Sequence, residues 1–217
     1  MTMVHDHPAP LLYLITDRRR AGSTAEPTVA SLATFLRSAA AAGVDMIQIR
    51  ERDLPGGELF KLTKTVFESA EPYGAEVFVN DRADIAAAVP GVGVHLTTRS
   101  IPAAAVRAAF GERLKIGVST HSLQEAMTAE SSGADFVVFG PLFETESKKQ
   151  YGPAVGIAAL REVVSRVRIP VLALGGINMS NFNEALGAGA AGIAGISIFA
   201  DAGDIAAVVR RIKAGKE

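Results

Sequence analysis

The chain has no cysteine in its 217 residues. That excludes disulfides, a thiolate metal centre and a cysteine nucleophile, and it agrees with a reducing compartment such as the cytoplasm. Excess charge is also missing, because 22 Lys and Arg face 23 Asp and Glu, for a formal net charge of −1. No global attraction to nucleic acid or to an anionic membrane follows from such a balance, so any affinity for an anion must be local. No apolar run approaches the ~20 residues that a membrane-crossing helix needs. Residues 1–10 lack the apolar core of a secretory signal and read as a polar, flexible leader. His5 and His7 in that leader are candidate metal ligands, although a solvated terminus is the simpler expectation.

What the chain has is apolar material: 48% of residues are hydrophobic and mean hydropathy is +0.24. Short β-branched or aromatic runs alternate with longer Ala-rich amphipathic runs, eight times over. The predicted strands are Leu11–Thr16, Met46–Arg50, Glu76–Asn80, Gly93–Leu96, Lys115–Ser119, Phe136–Gly140, Pro170–Gly175 and Gly192–Ser197. The predicted helices are Thr28–Ala42, Gly57–Ala70, Asp84–Val89, Ile101–Phe110, Ser122–Ser132, Gly156–Val167, Ser180–Ala188 and Gly203–Ala214. Several strands are apolar nearly throughout, as when both sheet faces are covered. Gly43, Gly133 and Gly189 each fall just past a helix, where a left-handed cap is needed. Eight βα units in about 200 residues predict a single (β/α)8 TIM barrel over residues 11–217.

In that fold active sites lie at the C-terminal strand ends, and here nearly every strand closes on polar residues. The loop from Gly140 to Lys149 is the richest, bringing Thr145, Ser147, Lys148 and Lys149 together after an apolar strand. It reads as an anion-binding loop and a candidate lid, against the alternative of a solvated Lys pair. Gly175 and Gly176 follow strand seven, and Gly195, Ile196 and Ser197 follow strand eight. Glycines there let backbone N–H groups approach a phosphate, although tight turns favour glycine too.

Gln48 and Arg50 alternate onto one side of their strand, towards the barrel mouth. Arg50 suits a carboxylate or phosphate and Gln48 a heterocycle, against a structural Arg paired with Glu51 or Asp81. Asp81, after Asn80, is either a Mg²⁺ ligand acting with substrate phosphate or a helix cap. His121 is the leading proton-transfer candidate, because imidazole titrates near neutrality; the alternative is a ring held by a loop carbonyl. His95, at another strand end, is open between packing and ligand contact.

Together these residues resemble the thiamine phosphate synthase and thiazole tautomerase family, over the barrel from Leu11 to Lys213. The carriers are Tyr13-Leu14-Ile15-Thr16-Asp17, Gln48-Ile49-Arg50-Glu51-Arg52, Asn80-Asp81-Arg82-Ala83-Asp84, Gly117 to Ser122, the Gly140 to Lys149 loop, and Gly175-Gly176-Ile177. The resemblance implies a thiazole phosphate ligand held by Gln48, Arg50, Arg52, Asn80, Ser119, Thr145, Ser147 and Lys148. Its two branches differ in chemistry. In the synthase branch a pyrimidine diphosphate loses pyrophosphate and the thiazole nitrogen captures the resulting cation. Mg²⁺ would then be the cofactor, with Asp81 as a ligand. That branch has Lys where this chain has Arg52, and a second metal-binding Asp where it has Ser100. In the tautomerase branch a proton transfer, here by His121, aromatises an exocyclic thiazole phosphate carboxylate without a metal. Features around Arg50, Ser100, His121 and Glu144 resemble that branch, whereas Gln48, Asp81 and Pro141 resemble the synthase. The leading expectation is the tautomerase, and the alternative is the synthase. A non-catalytic thiazole phosphate binder and a phosphosugar isomerase are further alternatives. The expected partner is a small molecule, with no nucleic acid and no membrane; a homodimer is compatible with the sequence.

Overall fold

The computed structural model describes residues 9–20, 28–144 and 154–215. Eight strands close a parallel barrel in sequence order, with β1 paired to both β2 and β8. They are β1 Leu11–Ile15, β2 Met46–Ile49, β3 Glu76–Asn80, β4 Gly93–Leu96, β5 Ile116–Thr120, β6 Phe136–Phe139, β7 Val171–Leu174 and β8 Gly192–Gly195. The helices are α1 Val29–Ala41, α2 Gly56–Ala70, α3 Ala83–Ala88, α4 Ala103–Phe110, α5 Leu123–Ser131, α6 Gly156–Arg166, α7 Phe182–Gly187, α8 Ser197–Ala200 and α9 Ile205–Lys213. The (β/α)8 barrel expected from the alternation is therefore the fold. Among the described residues no helix is long and apolar enough to cross a membrane.

Alternation along each strand splits the apolar side chains into two sets. Leu12, Leu14, Ile47, Ile49, Val77 and Val79 face outwards, into the layer shared with the helices. Tyr13, Ile15, Met46, Phe78, Phe136 and Val138 face inwards and fill the barrel. Tyr13, Phe78 and Phe136 meet edge to face, with ring centroids 5.1–5.7 Å apart. Room for these rings comes from interior glycines. A Cβ on Gly117 would run into the Phe136 ring, and one on Gly93 into Phe78. The barrel is thus packed large against small, a filled core rather than a pore.

The N-terminal ends of the strands are held by acids in the αβ turns. Asp45 accepts from Leu12 N–H at 2.8 Å and from Lys213 at 2.6 Å. Asp135 does the same for Ile116 N–H and Arg107, at 2.6 and 2.8 Å. Gly43, Gly133 and Gly189 all have positive φ, as their places after helices require.

Element ends differ from the sequence reading by one or two residues, and one difference changes an element's type. Strand eight was expected to reach Ser197, but it stops at Gly195 and Ser197 opens α8. Ala200 N–H bonds Ile196 carbonyl at 2.8 Å and Asp201 N–H bonds Ser197 carbonyl at 2.9 Å. The turn buries Ile198 and Phe199.

Candidate active site

Interior-facing positions at the C-terminal ends of β2, β3, β4 and β5 carry Gln48, Asn80, His95 and Ser119, on the same faces as Met46, Phe78, Gly93 and Gly117. Their registers link neighbours directly: Asn80 pairs with His95, and His95 with Gly117. Four of the expected polar positions thus surround one mouth. Gln48 and His95 are buried, while Asn80 and Ser119 are half-buried. Arg50 follows Gln48 two residues on and is half-buried; its N–H donates to Thr16 Oγ1 at 2.9 Å. Arg52 is exposed.

The residue between those arginines has a different role. Glu51 is buried, and its carboxylate accepts from Thr16 Oγ1 at 2.6 Å, Arg18 N–H at 3.1 Å and Arg18 Nη1 at 3.0 Å. Arg18 also grips Asp53 through Nη1 and Nη2, each at 2.5 Å. A structural Arg50 paired with Glu51 or Asp81 was one sequence reading, and the guanidinium on Glu51 is that of Arg18. The clasp ties the loop after β1 to the loop after β2. Sequence reasoning missed Arg18 and Asp53. The available signal was the Arg18-Arg19-Arg20 run at a strand end, beside two acids in the next βα loop.

Asp81 has φ = 65°, left-handed and unusual for a residue with a side chain. It does not cap α3: the cap position is Arg82, with no side-chain capping bond. The cap reading is therefore overturned by geometry. The Asp81 carboxylate is exposed at the mouth and has no hydrogen-bond partner among the described residues. That is compatible with Mg²⁺, which accepts one or two carboxylates and completes its shell with waters and substrate phosphates. Ser100 supplies no second carboxylate. Its Oγ accepts from Thr97 N–H at 2.8 Å and lies 3.1 Å from Thr97 Oγ1, closing the turn after β4. Among the described residues no three His, Asp or Glu side chains cluster to make a metal site by themselves.

Below the mouth a polar chain crosses the barrel. Gln48 Nε2 donates to Tyr13 Oη at 3.4 Å, Tyr13 Oη meets His95 Nδ1 at 3.2 Å, and His95 Nε2 meets Ser119 Oγ at 2.8 Å. Burial pushes the Tyr13 phenol well above its ordinary pKa, against a smaller opposing effect of the Gln48 bond. The phenol is a neutral hydrogen-bonding group here. Tyr13 was read only as part of a strand motif, because an apolar neighbourhood gives no sign of what its hydroxyl meets.

His121 sits just past β5 and is half-buried. Its Nδ1 lies 3.1 Å from Glu125 Oε2, and the same oxygen accepts the His121 N–H at 2.7 Å. Ser122 caps α5 by accepting from Glu125 N–H at 3.2 Å, which sets the Glu125 side chain one turn along beside the ring. The arrangement orients the imidazole and leaves Nε2 for other work. The alternative reading of His121, a ring held by a loop carbonyl, gives way to a ring beside a carboxylate.

On the opposite side of the mouth, Gly175 and Gly176 have φ of 97° and 67°. The chain after β6 presses on them: Phe143 N–H donates to Gly175 carbonyl at 3.0 Å, and a Cβ on Gly176 would strike Glu144 carbonyl and Phe143. Glycine here is thus demanded by close backbone approach as well as by the turn. Gly195 is buried, Ile196 half-buried and Ser197 exposed at the start of α8. Thr145, Ser147, Lys148 and Lys149 lie outside the described residues, as do His5 and His7.

The family model described as thiamine monophosphate synthase matches residues 12–199. A provisionally named thiamine-phosphate synthase of Geobacter sulfurreducens is 45% identical over 88% of this chain and 87% of its own. The thiamine-phosphate synthase of Moorella thermoacetica is 37% identical over 93% of each. The solved thiamine phosphate pyrophosphorylase of Pyrococcus furiosus superposes with a TM-score of 0.82 at 35% identity, covering 94% of both chains. A 3-hexulose-6-phosphate synthase, at 21% identity and a TM-score of 0.68, shares the fold alone. With a family match running from β1 through α8 and relatives 37–45% identical over most of its length, the chain belongs to the thiamine monophosphate synthase family.

Proposed function

We propose that this protein is a thiamine-biosynthetic enzyme that joins hydroxymethylpyrimidine diphosphate to a thiazole phosphate, releasing pyrophosphate. The observation that carries the proposal is the likeness, over more than nine-tenths of the chain, to proteins named for that synthesis. This reverses the order expected from sequence motifs, where proton transfer led and condensation was the alternative.

The reading distributes the work across the mouth. Backbone N–H groups at Gly175, Gly176, Gly195, Ile196 and Ser197 receive the thiazole phosphate, where glycines permit close approach. Gln48, Asn80 and Ser119 hold the heterocycle. Arg50 and Arg52 face the diphosphate, and Arg geometry suits two oxygens at once. Thr145, Ser147 and Lys148 join them on the strength of the sequence. Asp81 is the residue that would hold Mg²⁺, which when bound neutralises charge on the departing pyrophosphate. The Arg18–Glu51–Asp53 clasp keeps the β1 and β2 loops in place around the leaving group. We place the reaction in the cytoplasm, with small molecules as its partners and a homodimer as the assembly to test for.

A second reading is favoured by a specific pair of observations. Ser100 is turned onto Thr97 instead of offering a carboxylate, and His121 is oriented by Glu125. Both suit a thiazole tautomerase, in which His121 moves a proton and no metal is needed. The experiment that separates the two mixes purified protein with the pyrimidine diphosphate, thiazole phosphate and Mg²⁺. Thiamine phosphate and pyrophosphate should appear in equal amounts. Aromatisation of the exocyclic thiazole tautomer with no thiamine phosphate would move the assignment to the tautomerase. Binding of thiazole phosphate with neither turnover would make the protein a non-catalytic binder.

A further inference from the structure

The hydrogen-bond chain beneath the mouth has a direction, and that direction reaches the ligand. Tyr13 is fully buried, and a buried phenol O–H needs an acceptor. The Gln48 amide donates to the phenol oxygen, so the phenol hydrogen has to go elsewhere. The His95 Nδ1, at 3.2 Å, is the acceptor in place. A ring that accepts at Nδ1 carries its hydrogen on Nε2 when neutral, because each nitrogen of a neutral imidazole has one role. That Nε2 lies 2.8 Å from Ser119 Oγ, close enough for a good bond to the hydroxyl oxygen.

We propose that Tyr13 locks His95 in the Nε2–H tautomer, making His95 a donor to Ser119 Oγ and leaving the Ser119 hydroxyl hydrogen as a donor presented to the barrel mouth. His95 and Tyr13 are then positioning residues, and Ser119 touches the ligand. Among the described residues the Ser119 hydroxyl has His95 as its hydrogen-bond partner and no other. It lies on the interior face of β5, half-buried, two residues before His121. The ligand atom it suits is an acceptor, a ring nitrogen or an anionic oxygen, and a donor such as an amino group would meet hydrogen against hydrogen. The ligand half of this inference rests on the mouth being the substrate site; the tautomer half does not.

The opposite polarity has a definite penalty. If Nδ1 carried the hydrogen and donated to Tyr13, the phenol oxygen would receive from both Gln48 and His95. Its own hydrogen would then point into an apolar barrel between Phe78 and Phe136. A buried donor left without an acceptor is disfavoured by about 5- to 150-fold, which shifts the population to the other tautomer. The raised pKa of the phenol agrees, since it keeps the hydrogen on Tyr13 throughout the neutral range.

Histidine 15N chemical shifts read the tautomer directly. The chain has four histidines, so replacing His5, His7 and His121 leaves His95 as the sole imidazole. We expect a protonated Nε2 and an unprotonated Nδ1 in the otherwise unaltered protein. A protonated Nδ1 there overturns the proposal without recourse to a core variant. In Tyr13→Phe the two tautomers should both be populated, and turnover should fall by about tenfold, the scale of one well-placed hydrogen bond. A Tyr13→Phe protein whose His95 stays wholly Nε2–H also overturns it, since Tyr13 would not be the lock. His95→Gln can still offer an amide donor to Ser119, whereas His95→Asn mimics the other nitrogen, so turnover should be better kept in the Gln variant. Equal loss in both sinks the positioning role. Absence of thiamine phosphate synthesis with the Nε2–H tautomer in place would count against the proposed activity and leave the lock standing.

Discussion

The backbone N–H of Asp81 donates to the carbonyl of His95 at 2.8 Å, while Asp81 itself is held at φ = 65°. The bond fastens the turn after β3 to the end of β4 and aims an unbonded carboxylate at the mouth. A left-handed backbone costs an ordinary L-residue about 1–2 kcal/mol, and Asp or Asn tolerates it best. Strain of this kind gathers at functional sites.

Two substitutions separate strain from function. Asp81→Gly should leave stability unchanged or raise it by up to ~1 kcal/mol, because relief of the left-handed strain works against the entropy that glycine adds to the unfolded chain. Asp81→Asn should keep the backbone and lose the charge. Both should lower Mg²⁺-dependent turnover by roughly a hundredfold or more, as removal of a group that stabilises developing charge does. Thermal unfolding and a Mg²⁺ titration of the rate supply the readouts. An Asp81→Asn enzyme with unchanged Mg²⁺ half-saturation would remove Asp81 from the metal.

The clasp around Arg18 makes stability depend on pH in one direction. Hydrogen bonds from Arg18 hold the Asp53 carboxyl well below its ordinary value of 3.8. Its folded pKa is depressed, so its contribution is fully present above 3.8 and is lost as pH falls towards the lower folded value. Asp53 is exposed and the pair is screened, so the effect is small. Wild type and Asp53→Asn should therefore differ in melting temperature at neutral pH and converge in acid. A gap that stays constant across that range would show that Asp53 acts through something other than its charge.

The barrel was readable because its signal repeats. Eight alternations, and three Gly-containing turns each followed by a strand, all demand the same βα unit, and errors at any one boundary leave the fold unchanged. The facing of Gln48 was readable too, since strand alternation fixes a side chain's face once the strand is placed. Contacts between distant segments were not. Nothing local distinguishes Glu51, which is buried under Arg18, from exposed Arg52 beside it. Tyr13 read as another apolar strand residue, and only closure of the barrel brings its hydroxyl to His95. The α8 turn was missed because Gly192 to Ser197 has the apolar character of a strand; hydrogen bonds back to Ile196 and Ser197 decide it.

His121 provides a test that divides the two chemistries. General acid or base catalysis by one group contributes typically 10²–10⁴-fold. If the protein aromatises the exocyclic tautomer, His121→Asn should reduce that rate by about this factor while thiazole phosphate binding stays nearly unchanged. Glu125→Gln keeps a hydrogen-bonding group beside the ring and should cost about tenfold or less, since it weakens orientation and leaves the imidazole. A His121→Asn protein that aromatises at the normal rate hands the proton to another group, with Asp81 the next candidate. Loss of binding instead would make His121 a binding residue.

Ser100 and Arg52 are where this chain departs from the synthase pattern, and both departures concern the diphosphate. The Ser100 hydroxyl is used up on the Thr97 turn, so Asp81 is left as the carboxylate available to Mg²⁺ on this side of the mouth. A single protein carboxylate is within what Mg²⁺ accepts when substrate phosphates complete the shell. On the synthase reading, metal should bind weakly before substrate arrives and the rate should saturate only at high Mg²⁺. Ser100→Asp restores a second carboxylate, and an aspartate can still accept the Thr97 N–H, so the turn should survive. Arg52→Lys adds a compact charge in place of a broad one at an exposed position. The double variant should lower the Mg²⁺ concentration for half-maximal rate and raise thiamine phosphate formation by roughly tenfold, equivalent to ~1.4 kcal/mol at the transition state. The single Arg52→Lys change should do little by itself, because the metal gains no ligand. If the double variant and the wild type share one Mg²⁺ dependence, the turn after β4 does not face the metal, and the scarcity of carboxylate here has no bearing on which reaction the protein performs.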